Sequence, residues 1–165
     1  MKLLTSLVFV PAIIICLVGG YIGDIIVKKK GLKFGRRAIA MSTLGLNSIL
    51  FLTEATTQNN TILIACFLIG FGCVLTFGVA AFGVCIDLGS DHAGAVSGLM
   101  NCVGQIGAFF LAIVFGKIVD STGNFNAPLF VISGLLFIGS LLWLLVDPTK
   151  KLIFDHKQNV MLSSS

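Results

Sequence analysis

Charged residues are scarce in this sequence of 165 amino acids. Asp, Glu, Lys and Arg together make up only 11% of the chain, whereas soluble domains carry about 25%. Hydrophobic residues make up 56%, and the mean hydropathy is +1.04. A soluble domain of this length buries only about 70% of its unfolded surface, so much of this apolar sequence would face water. The composition therefore argues against a soluble globular enzyme and against a disordered chain.

Patterns for metal binding, disulfide bonding and acid–base catalysis are also missing. The five cysteines lie in apolar stretches without a C-x-x-C pair, and neither of the two histidines belongs to a Cys–His cluster. We therefore expect no metal site and no cofactor, with the cysteines acting as small packing residues. No Asp, Glu, Lys, Arg or His lies in the middle of an apolar stretch, so we predict that the protein is not an enzyme.

The charges that are present divide the sequence into membrane-sized segments. All 18 charged residues lie outside five charge-free stretches of 16 to 32 residues, and a bilayer core needs about 20 apolar residues per helix. The sequence predicts an all-α membrane protein with five transmembrane helices in one domain over residues 1–165. The first stretch is too long for a signal peptide, so we expect a retained helix there. The predicted helices cover about residues 3–23, 38–57, 61–86, 92–116 and 127–146, followed by a tail over residues 147–165.

The basic residues indicate how these helices are oriented. Residues 24–37, between the first two helices, hold six of the eleven Lys and Arg residues. If the helices alternate in direction, nine basic residues lie on one side of the membrane and two on the other. Lys and Arg are retained on the cytoplasmic side, so we predict a cytoplasmic C-terminus in a plasma or inner membrane. The net charge of +4 then reflects topology, and we expect no nucleic-acid partner.

Several polar residues lie inside the apolar stretches. Asn101 and Gln105 are four residues apart near the middle of the fourth helix, and therefore on one face. They could form a patch that faces a ligand, or they could make hydrogen bonds that hold helices together, and the sequence favours neither. For the remaining polar residues we favour a role in packing, because hydroxyl groups can bond to carbonyls of their own helix. These residues are Thr76, Ser97, Asn47 and Ser48.

Two segments resemble a known family. The pattern Gly20-x-x-x-Asp24, followed by basic residues and Gly35-Arg36-Arg37, resembles the G-x-x-x-D-x-x-G-R-R loop of the major facilitator superfamily. Residues 93–107 (AGAVSGLMNCVGQIG) are similar to the eleventh helix of the anion:cation symporter family within it. The resemblance covers nearly the whole chain and implies that this is a partial C-terminal bundle, helices eight to twelve, of a twelve-helix transporter.

The resemblance implies secondary transport of a small organic anion, such as a sugar acid or carboxylate, by alternating access. The transport would be coupled to protons or sodium ions. The implied partners are the lipid bilayer, the substrate, the coupling ion and the N-terminal half of the transporter. Asn101 matches the binding Asn of the family's helix eleven, and we take Gln105 and Thr76 as further substrate-binding candidates. Asp24, Arg36 and Arg37 would form a cytoplasmic gate by pairing with a helix terminus in the other half.

A second interpretation of the chain stays open. It could be a non-transporting membrane assembly or sensor subunit that reuses the same fold. Five of twelve helices would line only part of a substrate cavity, so we expect the chain to work as a fragment of a larger transporter. Members of the family often carry polar residues on the tenth helix, whereas the matching residues 79–82 are apolar here. A less polar ligand, or one held mainly by the other half, would suit this difference.

Overall fold

Between residues 2 and 149 the chain forms five α-helices. The structure, a computed structural model, describes residues 2–149, with side chains from Phe9 onward. It confirms the predicted all-α fold, since no strand occurs in the described range. A short 3-10 turn, Ser90–His92, separates the third and fourth helices. The helices are α1 (Lys2–Lys30), α2 (Leu32–Thr56), α3 (Asn60–Gly89), α4 (Ala93–Thr122) and α5 (Ala127–Leu142).

The segment predicted as a basic loop between the first two helices is helical instead. Helix α1 continues through three lysines to Lys30, and α2 begins two residues later at Leu32. Lysine is a good helix former, and positive charge in the last turn of a helix is favoured by the helix dipole. The single residue between the helices is Gly31, which reverses the chain at φ +87°. The charges of residues 24–37 therefore do not mark the end of the helix.

The buried core is made mainly of small side chains. Most of the buried apolar residues are Ala or Cys, whereas many Phe, Leu and Ile side chains are exposed. Helices in lipid have no hydrophobic force between them, so they approach closely through small residues while large ones face the acyl chains. This distribution is the opposite of that in a soluble domain and agrees with an integral membrane protein.

Glycines and serines mediate the close contacts between helices. A Cβ atom on Gly19 of α1 would lie 2.5 Å from Thr76 of α3, and one on Gly72 of α3 would lie 2.7 Å from Ile15 of α1. Between α2 and α5, the hydroxyl of Ser48 donates to the backbone oxygen of Ser133, and the hydroxyl of Ser133 donates to that of Ser48. Both hydrogen bonds are 2.8 Å long. Helix α2 thus lies between α1, α3 and α5 and contacts all three.

Helix α4 is attached more loosely than the others. It contacts α3 and, less extensively, α5, and none of its described residues is buried. A Cβ atom on Gly94, Gly98, Gly104 or Gly107 would meet nothing within 4 Å. These four glycines of α4 therefore face open space and do not pack against another described helix.

Length and apolar composition mark three runs of helix as candidate membrane spans within the described residues. These are Phe9–Lys30, Leu32–Thr56 and Asn60–Thr122. The third run contains two antiparallel helices, because the Cys85 sulfur lies 3.3 Å from the Met100 sulfur, whereas 15 residues of continuous helix would separate them by about 22 Å. The apolar helix α5 has 16 residues, and tight turns extend it to Val146 through hydrogen bonds from residues 144, 145 and 146 to the carbonyls three residues before them.

The turn at Gly31 gives a first prediction. Its φ of +87° with ψ of 163° lies in a region that is nearly restricted to glycine, where other residues lose about 1–3 kcal/mol. We expect Gly31→Ala to lower the free energy of unfolding in detergent micelles by that amount. The control is Gly20→Ala, because Gly20 is in α1 with open space around it. A Gly31→Ala protein as stable as the wild type would contradict the described turn.

Candidate functional site

The first turns of α2 carry the arginines that the sequence assigns to a gate. Arg36 Nε lies 3.2 Å from Asp87 Oδ2, near the end of α3, and both side chains are about one-fifth exposed. The guanidinium lies against Gly83, where a Cβ atom would be only 2.6 Å from its central carbon. Arg36 can therefore reach Asp87 because α3 has a glycine one turn before the carboxylate. This ion pair joins the start of α2 to the end of α3.

Two further basic residues of α2 hold the end of α5. Arg37 Nε donates a hydrogen bond to the backbone oxygen of Val146, which lies in the segment that directly follows α5. Lys33 Nζ lies 2.5 Å from Asp147 Oδ2. Asp147 also accepts hydrogen bonds from the backbone and hydroxyl of Thr149. The Lys33 ammonium and the Thr149 hydroxyl hold the pKa of Asp147 well below its usual range.

The predicted pairing of the gate arginines with a helix terminus outside this chain stays a prediction, and both arginines also have partners inside the chain. Arg36 and Arg37 both bind to helix ends within it, namely those of α3 and α5. The partners are 51 and 109 residues away in the sequence, so the local motif could not identify them. The three contacts of Lys33, Arg36 and Arg37 form a set that we call the α2 clamp.

Asp24 and Thr76 lie beside this clamp. Together with Arg36, Gly19 and Gly23 they line a cavity of about 70 Å³ between α1, α2 and α3. Asp24 is exposed and makes no ion pair with the residues that the structure describes. Thr76 is 3% exposed, and its hydroxyl donates to the Gly72 carbonyl at 2.9 Å, one turn before it. The structure thus brings Asp24, Arg36 and Thr76 together around one cavity, and the substrate-binding role of Thr76 stays a prediction.

Asn101 and Gln105 are in a different place. Both side chains are exposed on α4, and neither makes a hydrogen bond within the described range of the chain. They share one face of the helix, since they are four residues apart. The structure does not bring them to Thr76 or to the α2 clamp. Their amide groups are therefore available to a ligand or to another part of a larger protein.

Two residues that the sequence assigned to packing make contacts that the sequence could not specify. Ser48 bonds to α5 through Ser133 and does not bond to a carbonyl of its own helix. Ser140 repeats this pattern with the Met41 carbonyl at 2.9 Å, so α2 and α5 are joined at two levels. Asn47 is completely buried against α3, and its amide finds no hydrogen-bond partner among the described residues.

Comparisons with known proteins identify the family. The sequence model of the Major Facilitator Superfamily matches residues 1–159, and the chain belongs to this superfamily. No solved structure gives a significant match.

Three relatives are transporters by name. The chain is 26% identical over 153 residues to the "Probable sulfoacetate transporter SauU" of Cupriavidus necator, covering 90% of this chain and 35% of the relative. It is 30% identical over 144 residues to the "Probable galactarate/D-glucarate transporter GudP" of Bacillus subtilis, covering 85% and 31%. It is 29% identical over 153 residues to the "Probable anion transporter 5" of Arabidopsis thaliana, covering 84% and 35%. The chain spans about a third of the length of these relatives.

The ion pair of the α2 clamp can be tested by a double-mutant cycle. We expect Arg36→Met and Asp87→Asn, each alone and then combined, to give a coupling energy of about 1 kcal/mol for this partly buried pair. The measurement is the free energy of unfolding in detergent micelles. Asp120→Asn serves as the control partner, because Asp120 is an exposed carboxylate near the end of α4. Equal coupling for both carboxylates would contradict the contact.

Asp147 makes the attachment of α5 dependent on pH. Its pKa is lower in the folded chain than its ordinary value of 3.8, so the folded state gains stability above that value and loses it as the pH falls toward the folded pKa. We expect unfolding in micelles to become easier below pH 3.8, and Asp147→Asn to remove this part of the dependence. Carboxyl ¹³C NMR should show the Asp147 pKa rising in Lys33→Met, since Lys33 is its main cause. An unchanged pKa would contradict the Lys33 contact.

Proposed function

We propose that this chain is part of a secondary transporter that moves a small organic anion across a membrane by alternating access. The observation that carries the proposal is the superfamily match over residues 1–159, together with relatives named for sulfoacetate, galactarate or D-glucarate, and anions. The first two names describe small acids that carry two negative charges near neutral pH. A sugar acid or a short carboxylate or sulfonate is the substrate class that we propose for the complete protein.

The substrate site that we propose includes the outward face of α4. Asn101 and Gln105 present amide donors on one exposed face, and an amide N–H can donate to a carboxylate or sulfonate oxygen. The glycines near this face have no neighbouring atoms within 4 Å of the position of a Cβ, so a ligand or another helix can approach the backbone closely. We infer that an N-terminal half of the transporter covers this face and supplies the charged groups that bind the anion and the coupling ion, a proton or sodium. Thr76 would then support the site from α3 through the packing of α1 against it.

The α2 clamp fits a role at the cytoplasmic end of such a transporter. It holds the ends of α3 and α5 to the start of α2, beside exposed lysines at the end of α1. With positive residues retained inside, this end and the C-terminus would be cytoplasmic in a plasma or inner membrane. Asp24 would be the gate residue left to pair with the other half, while Arg36 and Arg37 keep this half rigid as the two bundles rock.

Uptake by the full-length transporter that contains this chain tests the site. We expect Asn101→Ala to raise the KM for the transported acid by roughly 10- to 100-fold, because a hydrogen bond to a charged group contributes about 1.5–3 kcal/mol. Proteoliposomes would be supplied with radiolabelled glucarate, galactarate or sulfoacetate, under an imposed proton or sodium gradient. Gln58→Ala is the matched control, since Gln58 is an exposed amide in the connection between α2 and α3.

The outcomes separate the possibilities. An unchanged KM and rate in Asn101→Ala would remove Asn101 from the site. Absence of uptake for every acid, with the wild-type protein folded and inserted, would favour a non-transporting subunit. Stimulation by only one of the two gradients would identify the coupling ion.

A further inference from the structure

Asn47 is a polar side chain in a place where polar groups need a partner. It lies between α2 and α3 with 0% of its surface exposed. Neither its amide nitrogen nor its amide oxygen has a hydrogen-bond partner among the residues that the structure describes. A carboxamide has two donor hydrogens and an acceptor oxygen, and buried groups of this kind are normally bonded to protein or to ordered water. We therefore expect a bound molecule to supply hydrogen-bond partners for the Asn47 side-chain amide.

Asn47 is one of the residues that line a cavity of about 100 Å³ between α2 and α3. Glu54 lies in the same cavity, seven residues further along the same face of α2, which corresponds to about 10 Å along the helix axis. The wall between these two polar groups is apolar. It is formed by Leu50, Phe51, Phe67, Gly70, Phe71 and Val74.

Gly70 of α3 leaves room at the amide. A Cβ atom at this position would lie 3.0 Å from Asn47 Oδ1, which is closer than an ordinary van der Waals contact. A glycine here keeps the amide oxygen free of a neighbouring side chain. By contrast, a Cβ atom on Gly78, two turns further along α3, would meet nothing within 4 Å.

We propose that this cavity binds a short chain of ordered water molecules that leads from the Asn47 amide to the Glu54 carboxylate. The volume is enough for about three molecules at the space that each occupies in liquid water. Three waters with hydrogen bonds of about 2.8 Å span about 11 Å between the two end groups, which matches the separation along α2. The proposal is independent of the transport function, because it rests only on the contacts of α2 and α3.

Water suits this site better than an ion does. Each water both donates and accepts, as the two ends of the amide require. A hard cation would need about six oxygen ligands, and the described residues contain no group of acidic, His or Cys side chains that could hold a metal. A hydroxyl group of a lipid shares the chemistry of water, so the experiment has to distinguish these two sources.

Solid-state NMR on the chain in phospholipid bilayers tests the proposal directly. The chain would carry ¹⁵N-labelled asparagine, and the Asn47 side-chain signal would be assigned by its loss in Asn47→Leu, which has nearly the same shape. We expect magnetisation transfer from water protons to the Asn47 side-chain amide, as for the exposed Asn59. Absence of transfer to Asn47 while Asn59 receives it would overturn the proposal, and so would transfer from lipid protons alone.

Two glycine variants of α3 add a matched pair. We expect Gly70→Ala to lose the water transfer to Asn47, because the added methyl group presses on the amide oxygen. Gly78→Ala should keep it. Circular dichroism would check that both variants remain helical. If either variant fails to fold, the wild-type measurement decides the proposal by itself, and full transfer in a folded Gly70→Ala would contradict the described geometry.

Discussion

Helices in a bilayer are surrounded by solvent as apolar as their own side chains, so their association depends on close backbone approach and on hydrogen bonds between them. The structure meets this constraint in two ways. On one side, Gly19 and Gly72 let α1 and α3 pack at distances that any Cβ would prevent. On the other side, Ser48 and Ser133 bond α2 to α5 through their backbones. The small-residue core and the exposed large side chains follow from the same constraint.

The distribution of charge along the sequence predicts the five helices, because an uncharged apolar stretch of about 20 residues has the length of a helix that crosses the bilayer core. It does not predict where the helices end. Residues 24–37 are charged enough to leave the membrane, yet α1 continues through them to Lys30, since lysine disfavours lipid without disfavouring a helix. At the other end of the chain, α5 passes into tight turns before Val146, which no composition rule could locate.

In the candidate site too, features set by neighbouring residues could be predicted from the sequence, whereas contacts between residues far apart in the sequence could not. Four-residue spacing puts Asn101 and Gln105 on one face of α4, and the structure keeps both exposed. Spacing cannot show which helix a face meets. The partners of Arg36 and Arg37 lie far away in the sequence, and they are known only from the packing of α2 against α3 and α5. Asn47 looked like an ordinary packing residue for the same reason, since its isolation is a property of the cavity around it.

The connection between α1 and α2 has a mechanical consequence. One residue, Gly31, separates two helices of 29 and 25 residues, and its neighbours Val27 and Gly35 lie against each other. Because a connection of one residue leaves little freedom between the two helices, a tilt of either helix also tilts the other. Helix α2 also binds the ends of α3 and α5 through the α2 clamp. A displacement of the lysine-bearing end of α1 would therefore be shared by α1, α2, α3 and α5, whereas α4 could move separately.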